Sequence, residues 1–342
     1  MSSNVTLKHI AEALGVSAMT VSRALNNRSN VDARTKRRIL EKARSMGYTP
    51  NHVAKSLVSS KTYTIGVVIP EITHAFFPEV VRGIEEEVYT SEYQLFLTNS
   101  NEQFSREKDA IRALLSKRVD GILISSSQTE EDFEFYKELV QSDTKIVFFD
   151  RCIEGIGASC VSVNDRESSR QITSHLVEVH NYSRIAYLSG PQNVSIGRKR
   201  LEGFLKALNE HEVRIRNEWI VEAGFREEEG FRAMKKLLES TAGERPEAVV
   251  TINDPCAIGA MRAIEEAGLS VPEDMAIVGF TDDIRAPLLK VPLTTVHQPA
   301  YEVGKKAACK LIHTIEDENE AVENLEVPTT LKIRASCGCM RS

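Results

Sequence analysis

The chain has 342 residues, 42% of them hydrophobic and 27% charged, the balance of a globular protein and too long for one ordinary core. No apolar run approaches the about 18 residues needed to span a bilayer, and the first residues lack the apolar block of a secretory signal, so a cytoplasmic location is expected. The six cysteines, Cys152, Cys160, Cys256, Cys309, Cys337 and Cys339, are too scattered for a disulfide framework and read as reduced thiols. The closing Cys337-Gly-Cys339 is too tight for a four-ligand zinc site on its own, so no metal and no cofactor are expected.

Charge is unevenly spread. Residues 1–62 hold five Lys and six Arg against Glu12, Asp32 and Glu41, a net +8. The whole chain is −6, so residues 63–342 carry −14. A basic head on an acidic body implies that the head alone meets a polyanion.

In the head, Leu7, Ile10, Ala11 and Leu14 recur at helical spacing behind Thr6, a capping residue. Gly15-Val16 breaks that helix, and Ser17 can cap a second over Ala18–Asn26. Its apolar side is Val21, Ala24 and Leu25; Met19, Ser22, Arg23 and Asn26 lie opposite, with Ala18 at the flank. Two short helices about a tight turn predict a helix-turn-helix whose second helix enters the major groove. Arg23 can donate a bidentate pair to guanine, while Ala18 and Met19 can meet thymine methyls. Thr20, Ser22 and Asn26 suit phosphates or water-mediated contacts. A third helix opens at Asp32, with Ile39, Leu40, Ala43 and Met46 predicted inward and Gly47 ending it.

From Tyr63 onward, apolar strand-like runs alternate with helical stretches. Strands are predicted at Thr64–Ile69, Gln94–Thr98, Gly121–Ile124, Lys145–Phe149, Arg184–Leu188, Ala248–Ile252, Ala276–Phe280 and Thr294–His297. This order predicts an α/β body of two doubly wound parallel-sheet lobes behind an all-α head. Ligands bind such sheets at the carboxyl ends of the strands. There the sequence sets His74-Ala-Phe76-Phe77, Asp150-Arg151, Asn253-Asp254 and Thr281-Asp282-Asp283, with Arg200 in a helix that follows. Carboxylates, an amide, a guanidinium and aromatic faces suit a polyhydroxylated ligand, with Phe76 or Phe225 stacking on its apolar face.

The run Val5-Thr6-Leu7 through Ile10-Ala11, Ala13-Leu14-Gly15-Val16-Ser17 and Thr20-Val21-Ser22-Arg23-Ala24-Leu25-Asn26 resembles the N-terminal signature of the LacI/GalR family of transcription regulators. The likeness continues through Gly47-Tyr48, Pro50-Asn51 and Ala54-Lys55-Ser56-Leu57 and runs to the C-terminus. It implies a helix-turn-helix domain at 1–49, a hinge helix at 50–62 and an effector-binding, dimerising domain at 63–342. The lobes would be 63–163 plus 293–325 and 164–292 plus 326–342, with the fold of periplasmic sugar-binding proteins. It also implies that Leu57 of each subunit wedges into the minor groove, and that Thr6, Ser17, Asn51, Ala54 and Lys55 join the DNA-contacting set.

By position, the resemblance places Asp150, Arg200, Asn253, Thr281 and Asp282 at effector contacts and Phe225 at an often aromatic site. Thr281 stands where many relatives have Asp. Val194 stands where purine-binding relatives have Arg, which speaks against a purine. The implied protein is a repressor acting as a homodimer on double-stranded palindromic operator DNA under a sugar-like effector. A solute-binding protein, or a sugar-sensing module that ignores DNA, is the alternative, but it leaves the +8 head unexplained. An enzyme is disfavoured: no nucleophile elbow, phosphate loop or His-Glu-x-x-His is present, and His175 and His180 lie off a shared helix face and read as solvent or packing residues.

Overall fold

A computed structural model describes residues 5–25, 31–48, 61–73, 75–127, 133–240, 244–317 and 319–339. The chain divides into two compact units, Met1–Thr62 and Tyr63–Ser342.

Among its described residues the first unit holds three helices, α1 (Leu7–Leu14), α2 (Ala18–Leu25) and α3 (Ala33–Ser45). Local chemistry sets their ends. Thr6 Oγ1 accepts from His9 N–H while His9 Nδ1 accepts from Thr6 N–H, and Gly15, at φ 65°, turns the chain out of α1. Ser17 Oγ accepts from Thr20 N–H at 3.1 Å at the start of α2, and Asp32 Oδ1 accepts from Arg34 N–H at 2.9 Å at the start of α3. Ile10, Ala11, Val21, Ala24, Ile39 and Ala43 form the core. Leu40, predicted inward, is exposed, because the Ile39–Ala43 face already fills the space one helical step away.

The second unit is built on two six-stranded sheets. The first comprises β1 (Thr64–Ile69), β2 (Gln94–Asn99), β3 (Gly121–Ile124), β4 (Lys145–Phe149), β5 (Ser159–Ser162) and β11 (Asn324–Glu326), in the order β11-β5-β4-β3-β1-β2. The second comprises β6 (Ile185–Ser189), β7 (Ile220–Glu222), β8 (Ala248–Thr251), β9 (Ala276–Thr281), β10 (Thr294–His297) and β12 (Thr330–Lys332), in the order β12-β10-β9-β8-β6-β7. All pairings are parallel except β10 with β12. Of these twelve strands, β7, β11 and β12 have three residues each and β5 holds only Cys160 and Val161 between two serines, so none of the four stands out as an apolar run in the sequence.

Helices cover both faces of each sheet. On the first lie α4 (Phe76–Thr90), α5 (Phe104–Ser116), α6 (Phe133–Val140) and α11 (Ala300–Glu316). On the second lie α7 (Asp165–His180), α8 (Ser195–Glu210), α9 (Glu227–Ser240) and α10 (Asp254–Glu266). Ile65, Val67 and Ile69 of β1 enter the core shared with α4 and α11, while Val68 enters the opposite one. This alternation is why a doubly covered parallel strand is apolar at every position.

The chain passes between lobes three times: from β5 to α7, from β10 to α11 and from β11 to β12. The predicted boundary at 293 is thus corrected. Strand β10 pairs in register with β9, Thr294 against Val278, and the first lobe resumes only with α11. The cysteine reading is also corrected. Cys152 and Cys160 are joined in a disulfide, brought to a Cα–Cα distance of 5.9 Å where β4 and β5 run side by side.

Helices α4 and α11 cross at two glycines. A methyl group on Gly304 would lie 2.0 Å from the Val80 carbonyl oxygen, and one on Gly83 would lie 2.1 Å from that of Tyr301. Gly304→Ala is therefore expected to force the helices apart and lower stability by about 1–3 kcal/mol. A thermal melt checks this; an unchanged midpoint would contradict the close crossing.

Candidate functional site

Two sets of residues carry candidate chemistry, one in each unit. On α2, Val21 and Ala24 are buried and fix the helix against its neighbours, leaving the opposite side free. Met19 is 63% exposed, and Arg23 is exposed with no hydrogen bond or ion pair among the described residues. Ala18, Thr20 and Ser22 are half-buried beside them. Thr6 and Ser17 are engaged as caps, with Ser17 Oγ 2.9 Å from Thr20 Oγ1. Asn26, Asn51, Ala54, Lys55 and Leu57 lie outside the described residues, as does His74.

In the second unit the carboxyl ends of the strands of both sheets converge on a cleft that opens to solvent. Phe76 at the start of α4, Asp150 after β4, Phe225 after β7, Asn253 after β8, Thr281 at the end of β9 and Arg200 of α8 all line it. The sheet edges thus bring together six of the seven residues singled out in the sequence.

Arg200 is the hub. It is 2% exposed, donates from Nε to Asp165 Oδ1 at 2.7 Å and from Nη1 to the Ile252 carbonyl at 2.7 Å, and lies 3.6 Å over the Phe280 ring. Its Nη2 faces Gln298 Oε1 at 3.5 Å, and Gln298 Nε2 in turn donates to Asp150 Oδ1 at 2.8 Å. A continuous polar thread therefore runs from the second lobe, through a crossover residue, to the first.

Beside it, Arg151 forms a bidentate pair with Glu102, at 2.6 and 2.9 Å, and packs 4.4 Å over Phe225. Its Nε is buried without a hydrogen-bond partner, 3.9 Å from Asp150 Oδ2. Burial pushes the Asp150 carboxyl up to about 6, against the pull of Arg151. Asp150 and Thr281 adopt positive φ, 58° and 120°, and for a β-branched threonine this is a strained backbone of the kind that clusters at ligand sites.

Three residues depart from their predicted roles. Asp282 is not on the cleft wall; its carboxylate accepts from Arg334 at 2.7 Å and lies 3.0 Å from His297 Nδ1, while Asp283 takes the lining position. The left-handed turn at Thr281-Asp282 rotates the side chains, which a strand-end reading of consecutive residues does not anticipate. Asn253 lines the cleft, yet its amide is spent on local structure, donating to the Phe225 carbonyl and accepting from Cys256 N–H at the start of α10. One face of Phe225 is covered by Arg151, and Phe76 and Phe77 line the cleft as well. Val194 is buried in the second-lobe core.

Sequence reasoning named Arg151 beside Asp150 at the end of β4 without giving it a contact, and left out Glu102 and Gln298 as cleft residues. Glu102 and Gln298 follow the carboxyl ends of β2 and β10, so the strand-end rule applied without exception would have found them.

Residues 6–51 match the profile of bacterial regulatory proteins of the lacI family, and residues 173–337 that of a periplasmic binding protein-like domain. The chain is 32% identical over 333 residues to the HTH-type transcriptional repressor PurR of Photobacterium profundum, covering 97% of this chain and 98% of the relative. The chain belongs to the LacI family of bacterial regulatory proteins. Its fold superposes on the lac repressor dimer bound to operator and the anti-inducer ONPF, with a TM-score of 0.87, 26% identity and coverage of 98% and 99%. It also matches a complex of the transcriptional regulator CelR with cellobiose, with a TM-score of 0.73, 26% identity and coverage of 97% and 100%. This LacI-family chain is accordingly a DNA-binding transcription regulator, and no helix among its described residues is long and apolar enough to cross a membrane.

Removing the hub leaves Asp165 buried without its partner. Arg200→Ala in this LacI-family protein is expected to cost about 3–5 kcal/mol, and Arg200→Lys is expected not to restore it, since one ammonium cannot reproduce the fork. Denaturant unfolding of the second unit reads both.

A second expectation concerns pH. Asp254, fully buried, has its carboxyl raised by burial to about 7, despite hydrogen bonds from Thr295 Oγ1 and Asp283 N–H. A folded-state value above the ordinary carboxyl value favours the folded protein below that ordinary value, and the advantage is lost as pH rises through about 7. The melting temperature should therefore fall over this range in the wild type and fall less in Asp254→Asn; equal slopes would refute the assignment.

Proposed function

We propose that the chain is a transcriptional repressor that binds a palindromic operator as a homodimer, and that a small polyhydroxylated effector, a sugar or sugar derivative, enters the interlobe cleft and controls that grip. The observation that carries the effector reading is the unpartnered buried Nε of Arg151 beside Asp150 Oδ2 on the cleft wall. A donor and an acceptor side by side suit a hydroxyl, which can accept from one and donate to the other. Phe76 supplies an apolar face for a sugar ring, and Asp150, Thr281 and Arg200 complete the contact set, while Asn253 and Phe225 hold the cleft wall. The CelR structure, which contains cellobiose, supports the ligand class, and the lac repressor structure, a dimer on operator, supports the assembly.

On the DNA side, Met19 and Arg23 offer an apolar contact and a bidentate donor on one exposed helix face, with Leu57 of the hinge as the minor-groove wedge. A dimer also accounts for Phe96 and Leu97, exposed on β2 at the edge of the first sheet, and for Tyr89, exposed near the end of α4. Ligand in the cleft biases the lobe arrangement. Arg226 already bridges the mouth, donating to Glu71 at 3.2 Å and to Asn101 at 2.9 Å in the other lobe. The coupling is reciprocal: an effector that weakens DNA binding is itself bound less tightly by the DNA complex. The protein acts by binding, in the cytoplasm, and not as an enzyme.

Gel shifts on a palindrome-containing promoter fragment, with melting curves across sugars, sugar phosphates and nucleosides, test this reading. Arg23→Ala should weaken specific binding by about 1–3 kcal/mol, roughly 5- to 150-fold, and leave salt-dependent nonspecific binding in place. A sugar should raise the melting temperature in wild type and less in Asp150→Asn. Loss of all duplex binding specificity in the wild type, or a response to nucleosides alone, would overturn the proposal.

A further inference from the structure

We propose that His175, His180, Cys337 and Cys339 form a Cys2His2 binding site for a zinc ion, clipping the C-terminal turn to the end of α7. The four residues each offer one ligand atom, and all four atoms lie within 4.8 Å of one another. Cys339 Sγ is 3.3 Å from His180 Nε2 and 3.7 Å from His175 Nε2. Zinc–sulfur bonds of about 2.3 Å and zinc–nitrogen bonds of about 2.0–2.1 Å place the sulfur–nitrogen edge of a tetrahedron at about 3.6 Å. The donors are therefore already spaced for one tetrahedral ion, and a set of two thiolates and two imidazoles selects zinc over hard cations.

The surroundings hold this arrangement. His180 is the last residue of α7, so its ring is released from the helix to meet His175, with centroids 5.3 Å apart. Asn181 then turns the chain at φ 56°, and Tyr182 stacks on His180 at 5.3 Å and donates its hydroxyl to the Cys337 carbonyl at 3.3 Å. Gly338, at φ 101°, lets both cysteines face the histidines; a methyl group there would lie 2.9 Å from Tyr182 Oη and 3.3 Å from the His180 ring. Thr294 Oγ1 lies 2.9 Å from the Arg334 carbonyl oxygen and 3.2 Å from the buried Cys337 Sγ, within reach as an outer contact of a thiolate ligand. Both cysteines are free of disulfides. Among the other free thiols, Cys309 has a single histidine neighbour, His313 at 3.9 Å, and offers no comparable set.

The site joins two segments that enter the second lobe from different crossovers: α7, which follows β5, and the turn after β12. Cys339 and His180 are 159 residues apart in sequence, so an ion bound by both closes a long loop and stabilises the lobe.

Full-length protein purified without chelators should carry about one zinc per chain by elemental analysis. It should take up cobalt(II) with intense tetrahedral absorption bands and a thiolate charge-transfer band, and melt at lower temperature after a strong chelator. Cys339→Ser and His180→Ala should abolish retention, and Cys309→Ala should keep it. Should the variants fail to fold, the wild-type cobalt spectrum still decides. Wild type with reduced thiols that retains no zinc and shows no such spectrum, or that instead forms a Cys337–Cys339 disulfide, would overturn the site; tightly held copper or iron would overturn its assignment to zinc.

Discussion

The second unit is organised around one buried cation. Arg200, at 2% exposure, has Asp165 and the Ile252 carbonyl as hydrogen-bond partners, the face of Phe280 beneath it and Gln298 beside it. A guanidinium in such a place is tolerable only because its fork of donors and its charge are both met. Asp165 opens α7 at one crossover and Gln298 lies at another, so the partners that keep Arg200 stable also fix where the lobes are joined. Through Gln298 the thread reaches Asp150, so one hydrogen-bonded path joins the two lobes.

Next to this hub lies a second arginine with a different balance. Each nitrogen of Arg200 has a hydrogen-bond partner, whereas Arg151 keeps a buried Nε without a hydrogen bond beside a carboxylate raised by burial. Strained backbone at Asp150 and Thr281 marks the same wall. Buried polar groups are seldom left unmatched without a reason, and a hydroxyl of the proposed effector would supply one. The head follows the opposite logic. Its small core is closed by α1, α2 and α3, and the α2 face that remains exposes Met19 and Arg23 side by side.

Much of this was legible from residue order. Helical spacing with Thr6, Ser17 and Asp32 located the three helices of the head, because caps and apolar periodicity act within a few residues. Eight apolar runs located the long strands, and the strand-end rule reached most of the cleft. The failures share one cause. Leu40, Asp282 and the 293 boundary each depended on which way a particular turn or register faces, and β5, β7, β11 and β12 are strands only because a neighbour pairs with them.

The cysteines and histidines show the division most clearly. Residue types and local spacing settle the head, the alternation of strand and helix, and the charge contrast between the two units, since each depends on neighbours in the chain. They say nothing of distance across the fold. Cys152, just past β4, meets Cys160 on β5 because the short turn between them folds back, and His175 and His180 meet Cys337 and Cys339 because the last strand returns beside β10. Side chains that look idle in sequence become a bridge and a four-donor cluster once long-range pairing closes the sheets, for that pairing alone sets which remote atoms share a few ångströms of space.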